Sequence, residues 1–173
     1  MNIFELKIWD DEGSKCTFYT VQYENASKNE TDLFLERYES DSEFKDAVQE
    51  LLAFVLHAIG DEHGADDELF NRYENEVSGL PVKGKLKIGE LFYFYPSFQL
   101  RLYALKIRED IVVLFGGGVK DGPTNQTSSL HLKWKEACGF AKKITDALLA
   151  KEILIDACNR KLTNQLGEDE IIL

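Results

Sequence analysis

The chain has 173 residues, of which 44% are hydrophobic, 12% aromatic and 29% charged. This length is close to one average domain, and the shares of aromatic and charged residues exclude a globally disordered chain. No apolar run approaches the ~20 residues that a membrane-spanning helix needs, and the first residues lack the positive segment and cleavage site of a signal peptide. Cys16, Cys138 and Cys158 form no Cys-x-x-Cys pair, so the sequence predicts a reduced, cytoplasmic protein without a membrane partner.

The charge is divided unevenly along the chain. The net charge of −11 argues against a free-standing nucleic-acid binder, because phosphate contacts need a basic surface. Residues 1–79 hold 20 acidic and 6 basic side chains, residues 80–145 hold 5 acidic and 11 basic ones, and residues 146–173 hold 6 acidic and 3 basic ones. The positive middle is compatible with a basic binding face, and equally with exposed strands and helices that simply carry Lys and Arg.

The N-terminal third predicts a β-hairpin followed by helices. Ile3–Trp9 and Lys15–Tyr23 are rich in β-branched and aromatic residues, and we expect Gly13 to take a positive φ in the turn between them. Residues 24–32 are polar and are typical of a loop. Ser40 and Glu43 form a capping box, which predicts a helix starting there. Apolar positions then recur at helical spacing: Phe44, Ala47, Val48, Leu51, Leu52, Val55 and Ile59.

A second helix is predicted over Asp66–Val77, with Gly60 following the C-cap of the first helix. Next, Phe98–Ile107 alternates, and Ile111–Phe115 is a continuous apolar run suited to a sheet centre. With Leu91–Tyr95, these segments predict a three-stranded antiparallel meander.

Gly116–Leu130 is typical of a loop, and helical spacing returns from Leu132 to about Lys161. The tail could add a short edge strand. The prediction is one α+β domain over residues 1–173, with an N-terminal β-hairpin, a helical hairpin, the meander and a long C-terminal helix.

Several motifs for a site fail on inspection. Gly116–Gly117–Gly118–Val119–Lys120 lacks the Ser or Thr of a Walker A loop and the helix start of a dinucleotide-binding fingerprint, so no cofactor is predicted. The acidic stretch of residues 61–67 lacks EF-hand spacing, and we favour a charged loop over a metal site. Cys138 lies among apolar helix positions and is expected to be a core thiol. The aromatic run at residues 91–95 could stack bases or fill a sheet-to-helix interface.

A basic constellation is what remains. It comprises Arg101, Lys106, Lys120 and the series Lys83, Lys85 and Lys87. Such a cluster could hold phosphates and stabilise charge that develops on a phosphorane. Strand alternation places Arg101 and Lys106 on opposite faces, so only one of the two can belong to a given patch.

Two segments of the chain resemble the RelE/HigB/ParE toxin superfamily. The first begins at Leu100 and reads LRLYALKIREDIVVLFGGGVKDGPTN, and the second, further on, reads KWKEACGFAKKI. The compared features are that family's R-x-x-Y strand, which here reads Arg101-Leu102-Tyr103 with a single residue between Arg and Tyr, a short turn, an apolar strand leading to Lys120 and a closing helix. The resemblance implies an antiparallel sheet with helices on one face and cleavage of mRNA in the ribosome without a metal. On the matched positions, Arg101 and Lys120 would be phosphate ligands, and Tyr103 would serve in stacking or proton transfer.

Two functional hypotheses follow. The first is a toxin-related protein of a toxin–antitoxin or phage-defence locus, a metal-independent endoribonuclease whose partners are RNA, the ribosome and an antitoxin. In it Arg101, Lys120 and Tyr103 are catalytic, while Lys83, Lys85, Lys87 and Lys106 bind nucleic acid. The second is a non-catalytic protein-interaction module on the same scaffold, which the long, acidic chain favours. A metabolic enzyme with a small-molecule pocket is a third, weaker option.

Overall fold

The computed structural model describes residues 2–120 and 130–173. In this part of the chain, a mixed seven-stranded sheet carries helices on both faces, which confirms the α+β class. The strands are β1 Phe4–Asp10, β2 Thr17–Tyr23, β3 Tyr73–Glu74, β4 Val77–Leu80, β5 Lys85–Ile88, β6 Leu91–Phe94, β7 Leu100–Arg108, β8 Ile111–Val119, β9 Ile153–Asp156, β10 Lys161–Asn164 and β11 Ile171–Ile172. The helices are α1 Glu30–Glu39, α2 Lys45–Ala53 and α3 His131–Leu149, with a π-helical segment at Phe54–His63 and a 3-10 turn at Asp67–Phe70.

The large sheet has the strand order β11-β1-β2-β8-β7-β4-β3. Strands β2 and β8 pair in parallel, with Thr17 opposite Ile111 and Thr20 opposite Leu114, while the other described pairs of this sheet are antiparallel. The predicted N-terminal hairpin is therefore confirmed, and β8 is the buried central strand that its apolar run indicated.

One face of the sheet is covered by α1, α2 and the π-helical segment. Residues 24–32 are not wholly a loop, because α1 begins at Glu30; the Asn29 side chain caps it by accepting from Asp32 N. The predicted apolar helix face is confirmed in its buried members Phe44, Val48, Leu51, Val55 and Ile59. The prediction of a capping box at Ser40 and Glu43 is wrong. Ser40 ends α1, and α2 begins only at Lys45, whose N–H bonds to Asp41 O at 3.0 Å.

Two glycines have roles that differ from the predicted ones. Gly60 lies inside the π-helical segment, and the helical run ends at Gly64, with φ +70°. Gly13 does not have a positive φ. A Cβ at Gly13 would instead lie 2.6 Å from Gly60 O, so this turn needs glycine for close approach. The same oxygen accepts from Lys15 N at 2.8 Å and Cys16 N at 3.1 Å, which joins the turn to the helix.

The predicted second helix over Asp66–Val77 is wrong. Only the short 3-10 turn forms there, and the chain continues into β3 and β4, with Asn75 at φ +64° between them. The β4 strand pairs with β7, where Gly79 lies opposite Tyr103. Pairing with a strand more than 20 residues later overrides the local helical pattern.

The meander is present with a different first strand. Strands β4, β7 and β8 are its members, while Leu91–Phe94 pairs with β5 in a separate two-stranded sheet. The expectation for Gly116–Leu130 is also corrected, because β8 continues through Gly116–Gly118 to Val119. The remainder of that predicted loop, residues 121–129, lies outside the described residues.

The second face of the sheet is covered by α3 and the β9–β10 hairpin. The helix ends at Leu149 rather than near Lys161, because the chain turns at Lys151, with φ +59°, and enters β9. The tail forms the short edge strand β11 on β1. Helices thus cover both sheet faces, whereas the resemblance implied helices on one face.

Candidate phosphate-binding site

Three cationic side chains converge where β7 begins and β8 ends. Arg101 is on β7, Lys120 directly follows β8, and Arg72 directly precedes β3. The β7–β8 register brings the first two together, since Leu100 lies opposite Val119 and Lys120 N donates to Gln99 O at 2.7 Å. We call Arg72, Arg101 and Lys120 the basic cluster.

Arg101 is buried, with only 5% of its surface exposed. Its Nη1 donates to Phe98 O and Leu100 O, both at 2.9 Å, which fixes the guanidinium beside its own strand. Its Nε is also buried and has no hydrogen-bond partner among the described residues. Burial, followed by repulsion from Arg72, lowers the pKa of Arg101 to about 10, so the side chain remains a cation at neutral pH.

Arg72 and Arg101 meet over Gly79 of β4. A Cβ at Gly79 would lie 3.0 Å from Arg72 Cδ and 3.5 Å from Arg101 Cδ, so the missing side chain makes room for both arginines. Arg72 Nε donates to Pro81 O at 3.4 Å, and Gly79 N donates to Arg72 O at 2.9 Å. These bonds hold one arginine against the other despite their like charge.

Lys120 completes the basic cluster. Burial lowers its pKa, and repulsion from Arg101 and Arg72 lowers it further. Lys83 adds a smaller repulsion, while Glu74 acts in the opposite direction. Glu74 also raises the pKa values of Arg72 and Arg101 against the effect of burial. Among the described residues, three cations face this one carboxylate, so the site has an excess of positive charge.

Tyr103 lies on the same face of β7 as Arg101 and bonds through its hydroxyl to the Glu74 carboxylate. Burial and that carboxylate raise its pKa, so Tyr103 is a neutral phenol at physiological pH. Trp134 of α3 holds the backbone of Glu74, with Nε1 donating to Glu74 O at 3.0 Å. Because Tyr103 is fully buried, its ring has no face open to a nucleobase, which argues against the expected stacking role.

The remaining predicted nucleic-acid ligands lie outside the basic cluster. Lys106 faces the opposite side of the sheet from Arg101, as the strand alternation predicted. Its Nζ lies 2.6 Å from Asp67 Oδ1. Lys83 precedes the β5–β6 hairpin, where its backbone N donates to Asn71 Oδ1 at 2.8 Å. Lys85 and Lys87 are on β5.

Arg72 and Glu74 are the site residues that the sequence reasoning missed. The predicted helix over Asp66–Val77 included both and gave neither a role. Their i, i+2 spacing is the signal in the sequence that could have grouped them. If this segment is interpreted as a strand, two residues at that spacing lie on the same face.

The acidic stretch and the cysteines do not form further sites. Asp61 accepts from Ser14 N at 3.2 Å, His63 Nε2 lies 2.9 Å from the Tyr93 hydroxyl, and Asp66 accepts from Glu68 N at 2.8 Å. Within residues 2–120 and 130–173, no group of three or more His, Cys, Asp or Glu could hold a metal. Burial raises the pKa of the Cys138 thiol to about 12, which fits a packed thiol rather than a nucleophile.

A second charged group lies at the start of α3, on the side of β2. Lys133 Nζ is 3.1 Å from a carboxylate oxygen of the buried Glu30 and 3.3 Å from one of Glu136. A cavity of about 300 Å³ adjoins it between α1 and Gly116–Gly117. Burial raises the pKa of Glu136, and Glu30 adds to this increase while Lys133 opposes it.

Comparison of the chain with protein-family models, with curated proteins and with solved structures gives no match. None of the helices in the described ranges is long and apolar enough to cross a membrane.

Proposed function

We propose that this protein binds the phosphate backbone of RNA at the basic cluster, as a toxin-related protein of the RelE/HigB/ParE kind acting in the cytoplasm. The observation that carries the proposal is the Arg101 guanidinium, which is buried beside two further cations and whose Nε has no hydrogen-bond partner within residues 2–120 and 130–173. Folding places like charges together here at an electrostatic cost. A bound anion would offset that cost, and arginine offers planar N–H donors that match phosphate oxygens.

The order of elements supports the same proposal. The chain runs from strand β2 through helices α1 and α2 to the antiparallel meander β4-β7-β8 and then to helix α3. The predicted order of a strand, two helices, a three-stranded meander and a helix is thus present with two replacements, since α1 stands in place of the predicted helix over Asp66–Val77 and β4 in place of the segment 91–95. Arg101, Tyr103 and Lys120, the residues at the matched positions, lie around one end of the meander.

The chemistry that we propose is endonucleolytic cleavage of mRNA on the ribosome. In this reaction the RNA 2′-hydroxyl oxygen attacks the adjacent phosphorus and loses its proton to water. The bond from phosphorus to the 5′-oxygen breaks and that oxygen takes a proton from water, which leaves a 2′,3′-cyclic phosphate and a free 5′-hydroxyl. Negative charge grows on the non-bridging oxygens, and fixed cations aimed at them lower the barrier. We assign this stabilisation to Lys120 by direct contact and to Arg101, which is largely buried, through its positive charge. Tyr103 is assigned as a positioning residue that orients Glu74 next to the cations.

An inducible-expression growth assay tests this function. We expect growth arrest from wild type and none from a folded Arg101→Ala/Lys120→Ala variant. Lys7→Ala/Lys28→Ala is the matched control, since it removes two positive charges outside every proposed binding residue, and it should arrest growth like wild type. Equal arrest by all three proteins, or none from folded wild type, would contradict the proposal.

A non-catalytic interaction module is the second candidate, and the burial of Tyr103 favours it. A phenol that is fully buried and bonded to Glu74 is poorly placed to transfer protons to a substrate. On this alternative, the protein binds RNA or another protein without cleaving anything. Incubation of wild type with translating ribosomes separates the two candidates, because only the first predicts new 5′ ends in the mRNA.

A further inference from the structure

The β5–β6 hairpin has one face that residues 2–120 and 130–173 leave uncovered. Its two strands pair apart from the large sheet, with Lys85 opposite Phe94 and Lys87 opposite Phe92. Residues directly opposite each other in an antiparallel pair share a face. Lys85, Lys87, Phe92 and Phe94 therefore form one surface, which we call the outer face of the hairpin.

Both phenylalanines of the outer face are open to solvent. Phe92 is 61% exposed and Phe94 is 44% exposed, whereas phenylalanine is usually buried. The Lys85 ammonium lies 5.1 Å from the centroid of the Phe94 ring. Two neighbouring exposed aromatic rings, each opposite a lysine, combine stacking surfaces with positive charge.

The inner face of the same hairpin contacts the rest of the protein through three partly buried side chains, while Leu91 on that face is 42% exposed. Leu86, Ile88 and Tyr93 pack against the core on the α1–α2 side of the sheet. The Tyr93 hydroxyl lies 2.9 Å from His63 Nε2, and its ring is 6.1 Å from that of Phe54 at a nearly perpendicular angle. The two outer rings are thus presented on an anchored support.

We propose that the outer face of the hairpin is a platform on which bases of single-stranded nucleic acid stack on Phe92 and Phe94 while Lys85 and Lys87 contact the phosphates. Positions two residues apart on a strand are separated by about 6.6 Å, so each ring can take its own base. Proteins that bind single strands commonly combine stacking aromatics with a basic groove. Glu90 in the hairpin turn leaves this set of residues positively charged overall.

The platform rests on the proposed function in one respect, since it takes the ligand class to be RNA. Lys83 precedes the hairpin with only Gly84 between them, and its backbone N donates to Asn71 Oδ1 at 2.8 Å. The outer face would add contacts with bases to the phosphate contacts proposed at the basic cluster.

Fluorescence anisotropy with labelled oligouridine of about 12 nucleotides tests the platform, beside an abasic strand of equal length. We expect Phe92→Ala/Phe94→Ala to weaken binding of oligouridine about tenfold or more and to leave binding of the abasic strand unchanged. Leu149→Ala/Leu166→Ala, which trims two exposed apolar side chains elsewhere, is the matched control and should bind like wild type. Lys85→Ala/Lys87→Ala should reduce the slope of log affinity against log salt by about 1.4.

The outcomes keep the two proposals apart. If wild type binds oligouridine and the phenylalanine variant binds equally well, the platform is overturned and RNA binding at the basic cluster stands. If the hairpin variants weaken binding while Arg101→Ala/Lys120→Ala does not, the platform stands and the basic cluster loses its role. If folded wild type binds neither strand, both proposals fail. A self-association that Phe92→Ala/Phe94→Ala abolishes would then assign the face to protein contacts.

Discussion

The hydroxyl of Tyr19 bonds to both backbone polar groups of Leu162. Leu162 N donates to the hydroxyl at 2.8 Å, and the hydroxyl donates to Leu162 O at 3.4 Å. Both residues are buried, so these bonds form out of reach of bulk water. They attach the β9–β10 hairpin to β2 across the core on the α3 side.

Removing that hydroxyl should destabilise the protein measurably. Tyr19→Phe leaves a buried N–H and a buried carbonyl without this partner, and we expect a loss of about 1–3 kcal/mol in the free energy of unfolding. Urea denaturation gives the value. Tyr73→Phe is the control, because Tyr73 is 70% exposed, and its stability should stay close to that of wild type. Equal stability of the two variants would show that the bonds contribute nothing.

The glycines at the end of β8 should differ sharply in their tolerance of a methyl group. A Cβ at Gly117 would lie 1.8 Å from Arg101 O, whereas the nearest atom to a Cβ at Gly116 is 3.5 Å away. We expect Gly117→Ala to cost about 3 kcal/mol or more, because backbone must shift to accept it, and Gly116→Ala to cost far less. Thermal unfolding of the pair checks this order, and a reversed order would refute the described register.

The stability of the protein should depend on pH through the ionisation of Glu136, and the direction of this dependence follows from its pKa. Burial and Glu30 raise the folded-state pKa of Glu136 above its usual value near 4.5, so the native state binds more protons than the unfolded chain just above that pH. The resulting stability is present at low pH and is lost as the pH rises through the folded-state pKa. The Tm of Glu136→Gln relative to wild type should therefore increase as the pH rises from about 4.5 through the folded-state pKa. A difference in Tm that stays constant would argue against the raised pKa.

Elements whose pattern is local were predictable from the sequence. The alternation in Phe98–Ile107 and the apolar run Ile111–Phe115 correctly gave β7 and β8 and separated the faces of Arg101 and Lys106. The apolar face of residues 44–59 also predicted which side chains are buried. In each case the residues that determine the element lie within it.

Elements that depend on distant partners were not predictable. The segment after Asp66 becomes β3 and β4 because β7 pairs with β4, and nothing within the segment indicates that partner. Gly13 is required by the carbonyl of Gly60, which belongs to another element. The basic cluster shows the same division. Arg101 and Lys120 were candidates from the sequence, whereas Arg72 and Glu74 join them only through the β4–β7 pairing.

The parallel pairing of β2 with β8 sets the order in which the sheet can assemble during synthesis. Thr20 lies opposite Leu114, which is 94 positions later in the chain. At translation rates of about 5–20 residues per second, roughly 5–20 s pass between the synthesis of β2 and that of β8, its partner strand. Until then β1 and β2 have no sheet to join, and the apolar side chains of β2 stay without their core. Late closure of such long-range contacts slows folding, so a nascent chain of this protein is exposed to aggregation until β8 has been made.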